Sequence, residues 1–253
     1  MHTQFQEISD FQWQYISQFL ENNRPKKLSL RSVFNAILWV DRIGAQWRNL
    51  ESRFPKWQSV YYYFRKWSKD GTFQLIMRKL TKLERTKRGR EETPSLCAID
   101  SQSIKLAPWI NENRGLDGNK KINGRKRHIL VDVEGLLWAI HVGPANQHDG
   151  EAGLELLPMI HSESNRLEVI RGDKAYGGIF AESAKIFGWN VDTTQSPPSE
   201  NKGFVPQQNR WQVERSFAWL NGFRRLSKDY ERKTESSESF IALAFCDMIL
   251  SKF

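Results

Sequence analysis

Three acidic residues stand where an acid can do chemistry. Asp100 closes the apolar run SLCAID, Asp173 closes the strand-like run LEVIRGD, and Glu214 lies in a later helical segment. In open α/β sheets, ligands gather beyond the C-terminal ends of strands. Two aspartates at neighbouring strand ends repel one another unless cations bridge them. Glu214 offers a third donor. At about 100° per residue, Arg210, Ala218, Asn221 and Arg225 share its side of a helix, while Val213, Phe217 and Leu220 lie opposite for burial. Hard carboxylate oxygens suit Mg²⁺ or Mn²⁺. Two such ions can activate an attacking oxygen and stabilise a leaving oxygen at a phosphodiester. Taken singly, each acid is better explained as a cap or surface charge; what favours the metal reading is their combination with a basic neighbour.

That neighbour is visible in the charge distribution. The 253 residues carry 38 Lys+Arg against 29 Asp+Glu, a net of +9. Residues 1–95 hold 18 of the cations and 9 of the acids, so the remaining 20 and 20 balance. A basic module beside a neutral one points to polyanion binding attached to a different task; the alternative is a generically basic surface. The longest apolar stretch, Ile241 to Leu250, is interrupted by Asp247 and falls short of the roughly 20 residues of a membrane span. The start MHTQFQEISD has neither a cationic region nor an apolar core, so no secretion signal is expected. Cys97 and Cys246 read as buried thiols of a reducing compartment, and no Cys or His pair has zinc spacing. The expectation is a soluble cytoplasmic protein, close to the nucleoid if bacterial, with no membrane partner.

The elements that must position the acids follow from periodicity. Ile8, Phe11, Tyr15 and Phe19 predict a helix capped by Ser9, and Leu30, Val33, Phe34, Ile37 and Leu38 predict a second from Ser29. Trp47, Leu50 and Phe54 predict a short helix that Pro55 stops. Trp57, Val60, Phe64 and Trp67 predict another, ending at Asp70-Gly71, and Phe73, Ile76, Leu80 and Leu83 a last one. A short helix, a break and a helix bearing Lys56, Ser59, Tyr62, Tyr63, Lys66 and Lys69 fit a helix-turn-helix; an ordinary bundle with a charged face fits equally. Glu84 to Ser95 has no apolar residue and reads as a linker, which places domain boundaries at 1–90 and 91–253. Beyond it, His128 to Val133 and Leu136 to Val142 form a hairpin about Glu134-Gly135. Helix at 150–160, strand at 167–172, helix at 179–187, strand at 189–193 and a long helix from Gln207 to Leu226 complete a mixed α/β order.

The stretches AIDSQSIK, NGRKRHILVDVEGLL, VGPANQHDG, RGDKAYGG and NRWQVERSFAWLNGFRRLSKDYE resemble, in order, the DDE transposases of bacterial insertion sequences, in the related families four and five. The resemblance covers roughly residues 93–250. It implies a ribonuclease H-like catalytic domain, with the first acid on the first strand, the second after the fourth, and the Glu on a following helix. Asp100, Asp173 and Glu214 occupy those places, separated by 72 and 40 residues. It also implies two bound Mg²⁺, for which Mn²⁺ substitutes, and a transposase that cleaves and joins DNA ends. Its partners would be the double-stranded terminal inverted repeats and target DNA, taken by a homodimer. The families carry a Y-R-E-K signature. Here Arg210 and Glu214 match it, Gln207 stands for Tyr and Asn221 for Lys, and Arg225 is the nearest same-face cation to replace the Lys.

Other basic residues extend the expected DNA contact. Asn111 to Arg127 carries six cations, namely Arg114, Lys120, Lys121, Arg125, Lys126 and Arg127, against two acids, and reads as a flexible loop on the DNA. Lys174 and Tyr176, beside Asp173, suit either a phosphate contact or a turn. His128 and His148 are read as strand-end and loop residues rather than bases, and Trp109 and Trp189 as core; the alternative for either Trp, implied by the resemblance, is an aromatic ring that holds an extruded base. The rival reading is a transposase-derived DNA-binding regulator that has lost cutting.

Overall fold

The computed structural model describes residues 5–20, 28–194 and 211–252. Four helices come first: α1 (Asp10–Ile16), α2 (Leu30–Ile43), α3 (Trp57–Lys69) and α4 (Thr72–Lys87). Ser9 and Ser29 cap α1 and α2 as expected, Ser9 in a reciprocal capping box with Gln12. Strands β1 (Leu96–Lys105), β2 (Gly115–Asp117), β3 (Ile122–Asp132) and β4 (Leu137–Pro144) follow. Then come α5 (Asp149–Gly153), α6 (Leu156–His161), β5 (Val169–Arg171), α7 (Ile179–Ile186), β6 (Asn190–Asp192), α8 (Trp211–Leu220) and α9 (Thr234–Leu250). No helix among the described residues is long and apolar enough to cross a membrane.

The sheet is mixed. β3 lies antiparallel to β1, β2 and β4, whereas β5 runs parallel to both β1 and β6. With the three-residue β2 set aside, β5 is the fourth strand, so the order of elements is the one the ribonuclease H-like resemblance implies. Alternation along β1 divides its faces. Ala98 joins Ile129, Val131, Val213 and Phe217 in one core, while Cys97 and Ile99 join Leu130, Trp138, Leu156 and Phe180 in the other. Both cysteines are buried free thiols.

The first core does not stop at residue 90. It contains Phe34, Phe64 and Phe73 of the N-terminal helices together with Phe240, Leu243 and Phe245 of α9. Phe64 stacks on Phe240 at 4.6 Å between ring centroids. Helix α9 is apolar around most of its circumference, and such a helix must be enclosed; α2, α3, α4 and β4 enclose it.

Three local expectations are corrected. The helix expected over Trp47 to Phe54 is a single 3-10 turn, Trp47–Asn49, with Trp47 turned inward onto Phe64 and Phe240. The linker expected over Glu84 to Ser95 begins inside α4, where Glu84 and Arg85 are buried. The long helix expected from Gln207 to Leu226 is described from Trp211 and ends at Leu220, and Arg224–Leu226 form a separate 3-10 turn. That turn packs against the end of α2, where Gly44 takes φ +75° and any Cβ would stand 2.9 Å from Arg224 Cβ.

Candidate active site

Asp100 lies midway along β1, which runs on to Lys105, rather than at its end. It points to the face that carries Ala98, against which α8 packs through Val213 and Phe217. The parallel register pairs Ala98 with Arg171, and the same offset of 73 residues relates Asp100 to Asp173. Asp173 follows β5 directly and is still extended, at φ −81° and ψ 179°. Asp100 and Asp173 thus each lie two residues beyond the last pair of the parallel register, Ala98 and Arg171. Asp100 accepts the Ser101 N–H at 2.7 Å, and Asp173 caps the 3-10 turn Lys174–Tyr176 through the Ala175 N–H at 3.0 Å. Both are half-buried, and Glu214 is exposed on α8.

The donor chemistry of this trio suits a hard divalent cation. Among the described residues, however, no group of three or more His, Cys, Asp or Glu side chains stands close enough to hold one. Val213 and Phe217 seat α8 on the face of β1 that carries Asp100, and Glu214 is exposed on that helix.

On the opposite face of β1, Cys97, Ile99, Ser101 and Ser103 are buried. His128 is buried within β3, its Nδ1 3.3 Å from the Tyr176 hydroxyl, and burial pulls its pKa down to about 3. A neutral, enclosed imidazole is no general base. Burial, with Asp149, Asp100 and Asp173 nearby, pushes the Tyr176 hydroxyl up, so this ring is core and not a phosphate contact. His148 caps α5, accepting the Gly150 N–H at 3.2 Å.

Several residues expected on DNA are structural. Arg125 is fully buried, pairs with Asp229 at 3.1 Å and donates to the carbonyls of Glu112, Glu231 and Arg232. Arg127 is buried and donates to the Leu226 carbonyl at 3.0 Å; burial pulls its pKa down to about 10. Lys126 binds Asp149 at 2.7 Å and the Gln147 carbonyl. Arg114 folds its guanidinium onto the carbonyls of Ala107 and Ile110. The expected flexible loop is therefore largely a hairpin of β2 and β3, whose tip presents Lys120 and Lys121 to solvent.

Arg225 is corrected in the same way. It lies beyond the end of α8, buried, with its guanidinium on Glu231 at 2.5 Å and on the Ala45 carbonyl at 3.2 Å. The helical projection that placed it beside Glu214 does not hold past Leu220. Arg210 and Gln207 lie outside the described residues. Of the α3 set, Lys56, Tyr62 and Lys69 are exposed and Ser59, Tyr63 and Lys66 half-buried; Lys174 is exposed. Trp189 is core, as expected, but Trp109 is 73% exposed on the turn that Arg114 supports.

Sequence reasoning passed over Lys105 and Lys228. With Gln102, Ser103 and Asn221 they line a groove of about 240 Å³ along β1 beyond Asp100. Lys228 sits beside the Asp229 N–H, which donates to the Lys105 carbonyl at 2.9 Å, a pairing between distant segments that no local pattern signals.

Comparison with known proteins supplies the family. Residues 8–77 match a family model for transposases of the IS4/5 family (DUF4096), and residues 91–248 match the model described as "Transposase DDE domain". A Burkholderia cepacia protein described as a transposase for insertion sequence element IS402 is 28% identical in an alignment 133 residues long that covers 49% of this chain and 61% of the relative. The chain thus spans less than two thirds of that relative's length. The crystal structure of the Mos1 strand transfer complex aligns with 92% of this chain and 78% of its own, at 12% identity and a TM-score of 0.32, too low to bear on the fold. The catalytic-domain match alone covers more than half of the residues, and the chain belongs to the DDE transposase family.

Proposed function

We propose that the protein is an insertion-sequence transposase that binds the terminal inverted repeats of its element, cleaves DNA at the ends and joins the freed 3′ hydroxyls to target DNA. The observation that carries this reading is that Asp100 on β1 and Asp173 just past the parallel β5 keep the 73-residue offset of the paired strands, with α8 packed against the same strand. Family membership supports it.

In this reading Asp100, Asp173 and Glu214 hold two Mg²⁺, with Mn²⁺ as a substitute. When bound, the ions supply activation of the attacking oxygen and charge neutralisation at the leaving oxygen. The chain's own part is to fix the carboxylates and to hold the DNA in line. The Ser101 and Ala175 N–H groups orient one oxygen of each aspartate. The exposed cations Lys120, Lys121 and Lys174, with Lys105 and Lys228 along the groove, hold backbone phosphates. Lys56, Ser59, Tyr62, Tyr63, Lys66 and Lys69 on α3 meet the inverted repeat, and Arg210 keeps its place in the signature. One active site serves one end, so a homodimer pairs two ends.

A transposase-derived regulator that binds without cutting is the second reading. Incubation with Mg²⁺ and a duplex carrying the inverted repeats that flank the reading frame separates the two. Breaks ending in 3′ hydroxyls at the repeat boundary, followed by joined products, support the transposase. Retarded but intact DNA supports the regulator.

A further inference from the structure

We propose that Arg215 and Ser216 are positioning residues that latch α8 to the β3–β4 turn and so set where Glu214 points. The inference rests on the reading of Glu214 as the third metal-holding carboxylate.

Helix α8 is described over the 10 residues Trp211–Leu220 and ends at a tight turn. Val213, Phe217 and Leu220 hold it to the sheet by apolar burial, which is non-directional and leaves rotation and sliding weakly specified. The directional bonds come from the two residues directly after Glu214. Arg215 Nη2 donates to the Glu134 carbonyl at 2.7 Å, and Ser216 Oγ, with one proton to give, stands 2.9 Å from both the Gly135 carbonyl and the Gln212 carbonyl of its own helix. The Arg215 guanidinium lies between two rings one helical turn away on either side, 4.3 Å from Trp211 and 4.7 Å from Trp219, and this restricts its rotamers.

The receiving turn is shaped for this contact. Gly135 takes φ +73°, and a Cβ there would stand 3.0 Å from Ser216 Oγ and 3.2 Å from Arg215 Nη2. The turn is itself held from behind. Asp132 accepts the N–H groups of Glu134 and Leu136 at 2.8 and 3.0 Å, and the Glu134 carboxylate takes Arg88 at 2.7 Å and Arg90 at 2.6 Å. Because β3 pairs with β1 in one unbroken ladder, Asp132 opposite Cys97 and Ile129 opposite Asp100, α8 is registered against the strand that bears Asp100. A misplacement of about 1 Å at a reacting site can cost roughly 10²-fold in rate.

The test uses the full chain and the variants Arg215→Ala, Arg215→Lys, Ser216→Ala and Glu214→Gln. One readout is Mn²⁺ binding without DNA, from the decrease of the free-ion electron paramagnetic resonance signal. The other is the Mn²⁺ concentration for half-maximal nicking of a supercoiled plasmid carrying the flanking inverted repeats. Arg215→Ala is expected to raise both the dissociation constant and this concentration by about 10- to 100-fold. Arg215→Lys, which keeps one donor for the Glu134 carbonyl, restores part of the effect, and Ser216→Ala shifts both readouts in the same direction by less. Wild-type values in Arg215→Ala and Ser216→Ala, with Glu214→Gln impaired, overturn the latch alone. Wild-type values in Glu214→Gln overturn the reading on which it rests. Should Arg215→Ala fail to fold, Ser216→Ala, which removes a single hydroxyl, decides.

Discussion

Arg85, in the last turn of α4, lays its guanidinium on the carboxylate of Asp132, the last residue of β3, and both side chains are buried. The same carboxylate takes the Trp138 indole N–H and the backbone of the β3–β4 turn. One ion pair thus ties the helices of the first 90 residues to the sheet. Removing one partner of such a pair strands the other in a dry interior and costs about 3–5 kcal/mol. Arg85→Ala is expected to lose that much in urea denaturation, as a lower midpoint with an unchanged slope. A destabilisation under about 1 kcal/mol would contradict the description of the pair.

Buried and exposed cations should separate cleanly by assay. Arg225→Ala leaves the Glu231 carboxylate enclosed without its guanidinium, so it should lower the melting temperature by several degrees. Lys120→Ala with Lys121→Ala, at the β2–β3 hairpin tip, should leave melting unchanged and weaken DNA binding. The slope of log affinity against log salt should fall by about one for each phosphate no longer neutralised. Filter binding over a salt series, beside thermal melting, reads both. A destabilised lysine pair, or an Arg225 variant altered only in DNA binding, would reverse the assignment.

Stability should also fall with rising pH through Glu238. Burial pushes this α9 carboxyl up to about 7, the Val142 N–H opposes the shift, and Glu235 and Glu155 add to it. His141 Nδ1 is 3.9 Å away, and burial lowers its pKa below the ordinary imidazole value. A folded pKa above the unfolded one means the contribution is fully present below the ordinary carboxylate range and is lost as pH rises through about 7. The decrease amounts to about 3 kcal/mol when complete. Denaturation at pH 5 and pH 8.5 should show this slope in the wild type and much less of it in Glu238→Gln. Equal slopes would exclude Glu238 as its source.

The order of elements is legible in the sequence wherever alternation or capping is strong: the β3–β4 hairpin at Gly135, the caps at Ser9 and Ser29, and the placement of Asp100 on a strand, Asp173 just past another and Glu214 on a later helix. Charge is not. Arg85, Arg125, Arg127 and Arg225 stand in polar stretches, and a polar stretch reads as solvated. Their partners Asp132, Asp229, Leu226 and Glu231 are set by tertiary packing, and for the first three they lie 47, 104 and 99 residues away. The end of α8 escapes the periodicity because Leu226 prolongs the apolar pattern past the break at Asn221-Gly222. Residue type alone puts Trp109 in the core, and only the Arg114-supported turn displays it.

The catalytic reading depends on Asp100, Asp173 and Glu214 acting as one metal-dependent centre on DNA. Mg²⁺-dependent cleavage of a duplex bearing the flanking inverted repeats, measured for Asp100→Asn, Asp173→Asn and Glu214→Gln, addresses this without intermediaries, provided repeat binding and melting are followed in parallel. Each variant is predicted to bind the repeat and to fold, while cleavage falls by about 10²-fold or more. Cleavage at the wild-type rate by any one of the three would contradict that reading.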